Sequence, residues 1–138
     1  MKRAVLICAC LALAAPAFGQ AAKPPPEAPK PAAEPPPAPY EPQLLRLSEI
    51  LGALSFLQEL CGSAHDGEEL RKQMSALIDA EATTPARKAR FAGAYNKGFR
   101  GFEQTYATCT PNAGLVMSRY LAEGQQIARE VASRFGGG

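Results

Sequence analysis

What the sequence lacks removes most catalytic chemistry first. It has a single histidine, His65, and with so few ligand-type side chains no structural zinc site is expected. Ser63, His65 and Asp66 are the residue types of a hydrolytic triad, but they lie too close together in the chain to assemble one. No glycine-rich phosphate loop, zinc-protease motif or nucleophile elbow occurs. Glu103, Glu123 and Glu130 supply the carboxylates a glycosidase would need, but helical proteins carry such glutamates routinely. No catalytic residue, metal or cofactor is expected. Long apolar runs are also missing: the longest, Ala4–Ala15, is about 12 residues where a membrane-spanning helix takes about 20.

That short run belongs to an export signal. Lys2 and Arg3 precede it, Pro16 breaks it, and Ala17-Phe18-Gly19 places small residues at the −3 and −1 positions of a cleavage site. Cleavage is expected after Gly19, with Ala21 as second choice, delivering the chain to a bacterial periplasm. Ile7-Cys8-Ala9-Cys10 faintly resembles a lipid-attachment box, but cutting before Cys10 would leave a signal of nine residues, too short for its apolar region. Removing residues 1–19 takes the basic count from 15 to 13, equal to the 13 acidic residues. The +2 formal charge of the whole chain therefore belongs to the signal. A mature chain near neutrality argues against nucleic-acid binding and against a polybasic membrane binder.

Two of the four cysteines remain, Cys61 and Cys109. In an oxidising compartment an even count favours a disulfide, the alternatives being an intermolecular bridge or two free thiols. The intramolecular bond would close a loop of about 49 residues, which the chain-entropy argument values at roughly 4 kcal/mol. Against a typical total of about 5–15 kcal/mol, that is a large share.

Ten of the thirteen prolines fall between Pro24 and Pro42. Residues 20–42 read as a disordered, extended polyproline II linker, acting as a solvated spacer or as an arm that docks elsewhere. From Gln43 proline nearly vanishes and helical periodicity takes over, predicting an all-α, compact four-helix domain over 43–135 and a fraying tail at 136–138. The first helix, about 43–61, places Leu44, Leu47, Ile50, Leu51, Leu54, Leu57 and Cys61 in one arc and should be the most buried. The second, about 66–82, starts on Asp66 as N-cap with Glu69 three residues on; His65 is read as part of the preceding loop. The third, about 85–108, and the fourth, about 111–135, each open with Thr-Pro, an N-cap followed by proline at the first helical position. Short loops imply alternating directions, so the first and third helices finish at the same end, where Cys61 and Cys109 meet.

The third helix is the most patterned. Phe91, Tyr95, Phe99, Phe102 and Tyr106 share one side, read as core, while Arg90, Lys97 and Arg100 lie opposite. That separation speaks against base stacking between interleaved cations. Residues 84–100 hold five positive and no negative charges, and residues 66–81 hold five negative and two positive. The second and third helices are expected to complement each other, or else the basic face meets an anionic partner. On the first helix Ser48, Gly52, Ser55 and Glu59 form a ridge of mostly small side chains, expected to seat the fourth helix, the alternative being a seat for another helix.

The segments RLSEILGAL (46–54), LCG (60–62), AYNKGFRGF (94–102), YATCT (106–110) and RYLAEGQQIARE (119–130) look like those of a family of small secreted alphaproteobacterial proteins of unknown function. The resemblance spans about residues 43–135 and implies an exported, helical envelope protein; it carries over no catalytic residue. The functional expectation is a non-enzymatic periplasmic interaction or structural module that contacts an envelope protein or glycan. Its candidate surface is Arg90, Asn96, Lys97 and Arg100 on the third helix with Arg119 and Glu123 on the fourth. The alternatives are a peptidoglycan-acting enzyme or inhibitor and an anionic-lipid binder.

Overall fold

The computed structural model describes residues 34–62 and 64–136. The signal peptide, Cys8 and Cys10, the linker up to residue 33, Ser63 and the last two glycines lie outside the described residues. Four helices and no strand make up the described chain: α1 (Glu41–Cys61), α2 (Ala64–Glu81), α3 (Pro85–Glu103) and α4 (Pro111–Phe135).

The Thr-Pro starts form as their chemistry dictates. Thr84 and Thr110 are extended N-caps whose side-chain oxygens accept from the Arg87 and Ala113 amides, at 3.1 Å in each case. The other ends differ from expectation. α1 begins two residues early because Pro42 fits the first turn, where its missing N–H costs nothing. α2 begins at Ala64, which places His65 in the helix and makes Asp66 a first-turn residue rather than the N-cap; an acid there still suits the positive end of the helix. α3 stops at Glu103 rather than 108. The Thr105 hydroxyl donates to the Gly101 carbonyl (2.6 Å) and the Tyr106 amide to that of Phe102 (2.9 Å). Two terminal carbonyls are thereby satisfied, and the chain is released towards the Cys61–Cys109 disulfide, whose Cα atoms are 4.9 Å apart.

α1 is the hub, and α2, α3 and α4 each pack along it. The pairings give the directions. Ser55 lies near Gly67 of α2 while Leu44 lies towards Leu77 and Glu81, Glu41 and Phe56 lie by Arg90 and Phe99 of α3, and Tyr40, at the start of α1, and Arg46 lie by Phe135 and Glu123 of α4. α2 and α4 therefore run antiparallel to α1, and α3 runs parallel to it. α4 packs its backbone closely on α1 alone among the described helices, so this is a centred arrangement rather than a four-cornered bundle. Burial follows: Ile50, Ala53 and Leu57 of α1 are fully enclosed, as is Phe91 of α3.

The ridge on α1 seats α3, not α4. A Cβ on Gly52 would overlap the Tyr95 carbonyl, and one on Gly98 would overlap the Glu49 carbonyl. The two glycines therefore let the backbones of α1 and α3 touch at their crossing. Ser48 and Ser55, completely buried on the same ridge, donate to the carbonyls of Leu44 and Leu51, both at 2.8 Å, which satisfies their hydroxyls inside the interface. α4 packs instead over Leu47 and Ile50, the nearest atoms to a Cβ built on Gly124. On the ridge Gly52 and Gly98 face backbone of the opposite helix, whereas Gly124 of α4 meets only the side chains of Leu47 and Ile50, so the closest backbone approach is that of α1 and α3.

Candidate functional site

Arg46 and Glu49 leave α1 in the gap between α3 and α4. Arg46 donates through Nε (2.7 Å) and Nη2 (3.0 Å) to the two carboxylate oxygens of Glu123, and its guanidinium lies 5.2 Å from the centre of the Tyr120 ring. It also pairs with Glu49 at 3.4 Å, and Glu49 pairs with Lys97 of α3 at 3.1 Å. A chain of alternating charge thus crosses three helices. Bidentate contact with Arg46 holds the Glu123 carboxyl below the usual carboxylate range and raises the Arg46 guanidinium. Phe102 of α3 meets Tyr120 edge-on at 5.4 Å, closing the gap at one end.

At the other end lies a second charged cluster. Glu41, 4 % exposed in its side chain, sits between Arg87 Nη2 (3.1 Å) and Arg90 Nη2 (2.9 Å). Arg90 turns its remaining face to Glu34, at 2.9 and 3.0 Å. Glu34, expected as part of a free linker, is tied to the domain instead, and the largely exposed Pro35–Pro39 stretch borders an open pocket with Arg90, Glu41 and Leu45.

The six residues of the candidate surface divide accordingly. Arg90, Lys97 and Glu123 border the α3–α1–α4 gap, and each is engaged in an ion pair. Lys97 remains 75 % exposed. Asn96, Arg100 and Arg119 are exposed and make no side-chain hydrogen bond or ion pair among the described residues. The ion pairs of the described residues do not follow the expected complement between the second and third helices. Arg87, Arg90 and Lys97 pair with α1 and Glu34, and on α2 Lys72 pairs with Glu68 and Glu69 while Arg71 reaches Glu59 of α1. Sequence reasoning missed Glu34, Glu41, Arg46, Glu49 and Arg87. One signal for Glu41 was available: it falls on the same side of α1 as Ser48, Gly52 and Ser55, at spacings of seven, eleven and fourteen residues.

The opposite flank of α1 is apolar. Because α2 and α4 stand apart, an open groove of about 270 Å³ runs between them, floored by Leu47, Leu51 and Leu54 and walled by Leu70, Leu77 and Leu121. Among the described residues no three His, Cys, Asp or Glu side chains converge as a metal cluster would require, and no helix is long and apolar enough to cross a membrane.

Fold and site together define a disulfide-tied helical domain in which one central helix carries three others and a charge chain bridges two of them. The chain belongs to the family described as "Protein of unknown function (DUF2385)", which matches residues 39–135 and so covers all four helices. No curated protein and no solved structure matches the chain.

Proposed function

We propose that this protein is an exported, non-enzymatic interaction or structural module of the cell envelope, working in the periplasm after cleavage near Gly19. One observation carries the reading: Asn96 and Arg100, on the helix of the largely exposed Lys97, and Arg119 on α4 are exposed without side-chain partners among the described residues, on helices fixed by buried glycine contacts and a disulfide. Unpaired polar side chains on a rigid frame keep their hydrogen-bonding capacity for a partner and lose little order on binding. The Lys2/Arg3–Ala15–Gly19 pattern and the proline-rich stretch that follows support export and display away from the point of synthesis. The partner class is an envelope protein or a glycan.

The test is crosslinking in cells with a photoreactive residue at Ala92, comparing the unaltered chain with N96A/K97A/R100A/R119A. The expected result is a discrete crosslinked species that the quadruple variant loses while keeping its circular dichroism and melting temperature. Crosslinks of equal yield in both chains overturn the surface. N-terminal sequencing of the periplasmic protein should begin at Gln20; recovery of the intact Met1 form in the cytoplasm overturns the export reading. Muropeptide release from peptidoglycan, or suppression of lysis by added lysozyme, would displace the interaction reading with the enzymatic or inhibitory one.

A further inference from the structure

Glu34 is bound as a ligand is bound. Its carboxylate accepts from Arg90 Nη1 and Nη2 at 2.9 and 3.0 Å and from the Thr84 hydroxyl at 2.9 Å. All three donors are fixed by the domain itself. Arg90 is oriented from behind, where Nε and Nη2 donate to Glu41 Oε1 at 3.1 and 2.9 Å. Glu41 is itself enclosed and faced by Arg87. Thr84 Oγ1 already accepts from the Arg87 amide as N-cap of α3, which leaves its proton free to donate outward. Beyond the carboxylate, the exposed Pro35, Pro36, Pro37 and Pro39 border an open pocket together with Pro42, Leu45 and Arg90. A planar guanidinium fork beside an open pocket bordered by Pro42 and Leu45 fits a carboxylate side chain followed by an extended proline-rich segment.

We propose that Thr84, Arg90 and the adjoining pocket bordered by Pro42 and Leu45 form a recognition site for an acidic residue followed by a proline run, occupied in cis by Glu34–Pro39 and able to take a segment of the same chemistry from another polypeptide. The cis contact is well placed to exchange. Glu34 and Arg90 lie at the surface, where ion pairs are weak and screened by salt. The donors keep their geometry when Glu34 leaves, because Glu41 and the α3 cap hold them. The hydrogen bond from Arg90 also keeps the Glu34 carboxyl below the usual carboxylate range, so the occupant is charged at neutral pH. The inference rests on reading the chain as an interaction module. It uses residues other than Asn96, Lys97, Arg100 and Arg119, so its failure leaves the crosslinking result standing.

The probe is a fluorescein-labelled peptide copying residues 32–40, AAEPPPAPY, titrated into the full mature chain and read by anisotropy. The E34A chain should bind it saturably and at least about tenfold more tightly than the unaltered chain, whose attached segment competes at high effective concentration. Binding should weaken with added salt, and R90K introduced beside E34A should abolish it, since lysine keeps the charge but loses the fork. A peptide with glutamine in place of glutamate should fail against the E34A chain, a control that leaves the protein's fold untouched. Equal affinity for the E34A and unaltered chains, binding indifferent to R90K or to glutamine, or no saturable binding at all would overturn the proposal and leave Glu34 a cis clasp only.

Discussion

Gly52 and Gly98 are the residues for which composition and structure diverge most sharply. Helical glycines cost about 1 kcal/mol each relative to alanine, and the sequence offers several without ranking them. The structure does rank them. A methyl group at Gly52 or Gly98 would overlap backbone of the neighbouring helix, which cannot rotate aside, whereas one at Gly93, Gly101 or Gly114 would meet nothing within 4 Å. G52A and G98A should therefore each destabilise by about 1–3 kcal/mol or more, and G93A and G101A should stabilise by about 0.5–1 kcal/mol, all read by urea denaturation. An indifferent G52A would remove the close crossing. Glu123 gives a pH-dependent counterpart. Its folded pKa is depressed by Arg46, so its contribution is present above the unfolded value of about 4.3 and is lost as pH falls through the folded one. Both partners are over a third exposed, which limits the effect to under about 1 kcal/mol. E123Q should be less stable than the unaltered chain at pH 7, by a margin that narrows as the pH falls below the unfolded value of about 4.3.

At the scale of elements, caps and the disulfide divide the work. Thr84 and Thr110 each satisfy an amide that the helix cannot. T110A should cost about 1 kcal/mol in thermal unfolding, a loss that T110S should largely restore. Thr84 has a second role as donor to Glu34, so T84A should also weaken the clasp. The connection from α3 to α4 is anchored differently. After Glu103 it leaves helical geometry and runs to Cys109, bonded to the last residue of α1. Replacing both cysteines with serine should cost about 2–5 kcal/mol, and the loss should appear chiefly as faster amide exchange in residues 104–112. An unchanged melting temperature after full reduction would contradict this. These elements were legible in advance because capping, proline placement and cysteine pairing are local chemistry. The end of α3 was not, because the aromatic stripe runs on through Phe102 to Tyr106, and those rings still stack 6.0 Å apart after the helix has ended. Side-chain periodicity therefore persisted where the backbone did not.

The whole molecule is organised around α1, and its dynamics should follow. α1 is packed on three sides while α4 leans its backbone on α1 alone, so native-state hydrogen exchange should find the slowest amides in α1, around Ile50–Leu57, and a lower-energy opening that releases α4. Equal protection of α1 and α4 would show a single cooperative unit instead. The sequence by itself determined the four helices, their alternating directions, the burial of Phe91 at the head of the aromatic stripe and the meeting of Cys61 with Cys109, while Tyr95, Phe99, Phe102 and Tyr106 are only half-buried. Each follows from periodicity, caps or short loops, which act within a few residues or within one helix. Only the tertiary structure decided which helix takes which face of α1. That choice placed α3 on the glycine–serine ridge and paired its cations with Glu41 and Glu49 rather than with α2. It also left α2 and α4 apart over the leucines and folded Glu34 back onto Arg90. The reason is physical: neighbour choice depends on how closely two backbones can approach, and on which buried charge then needs a partner. Both are properties of pairs of distant segments that no single helix carries in its own pattern.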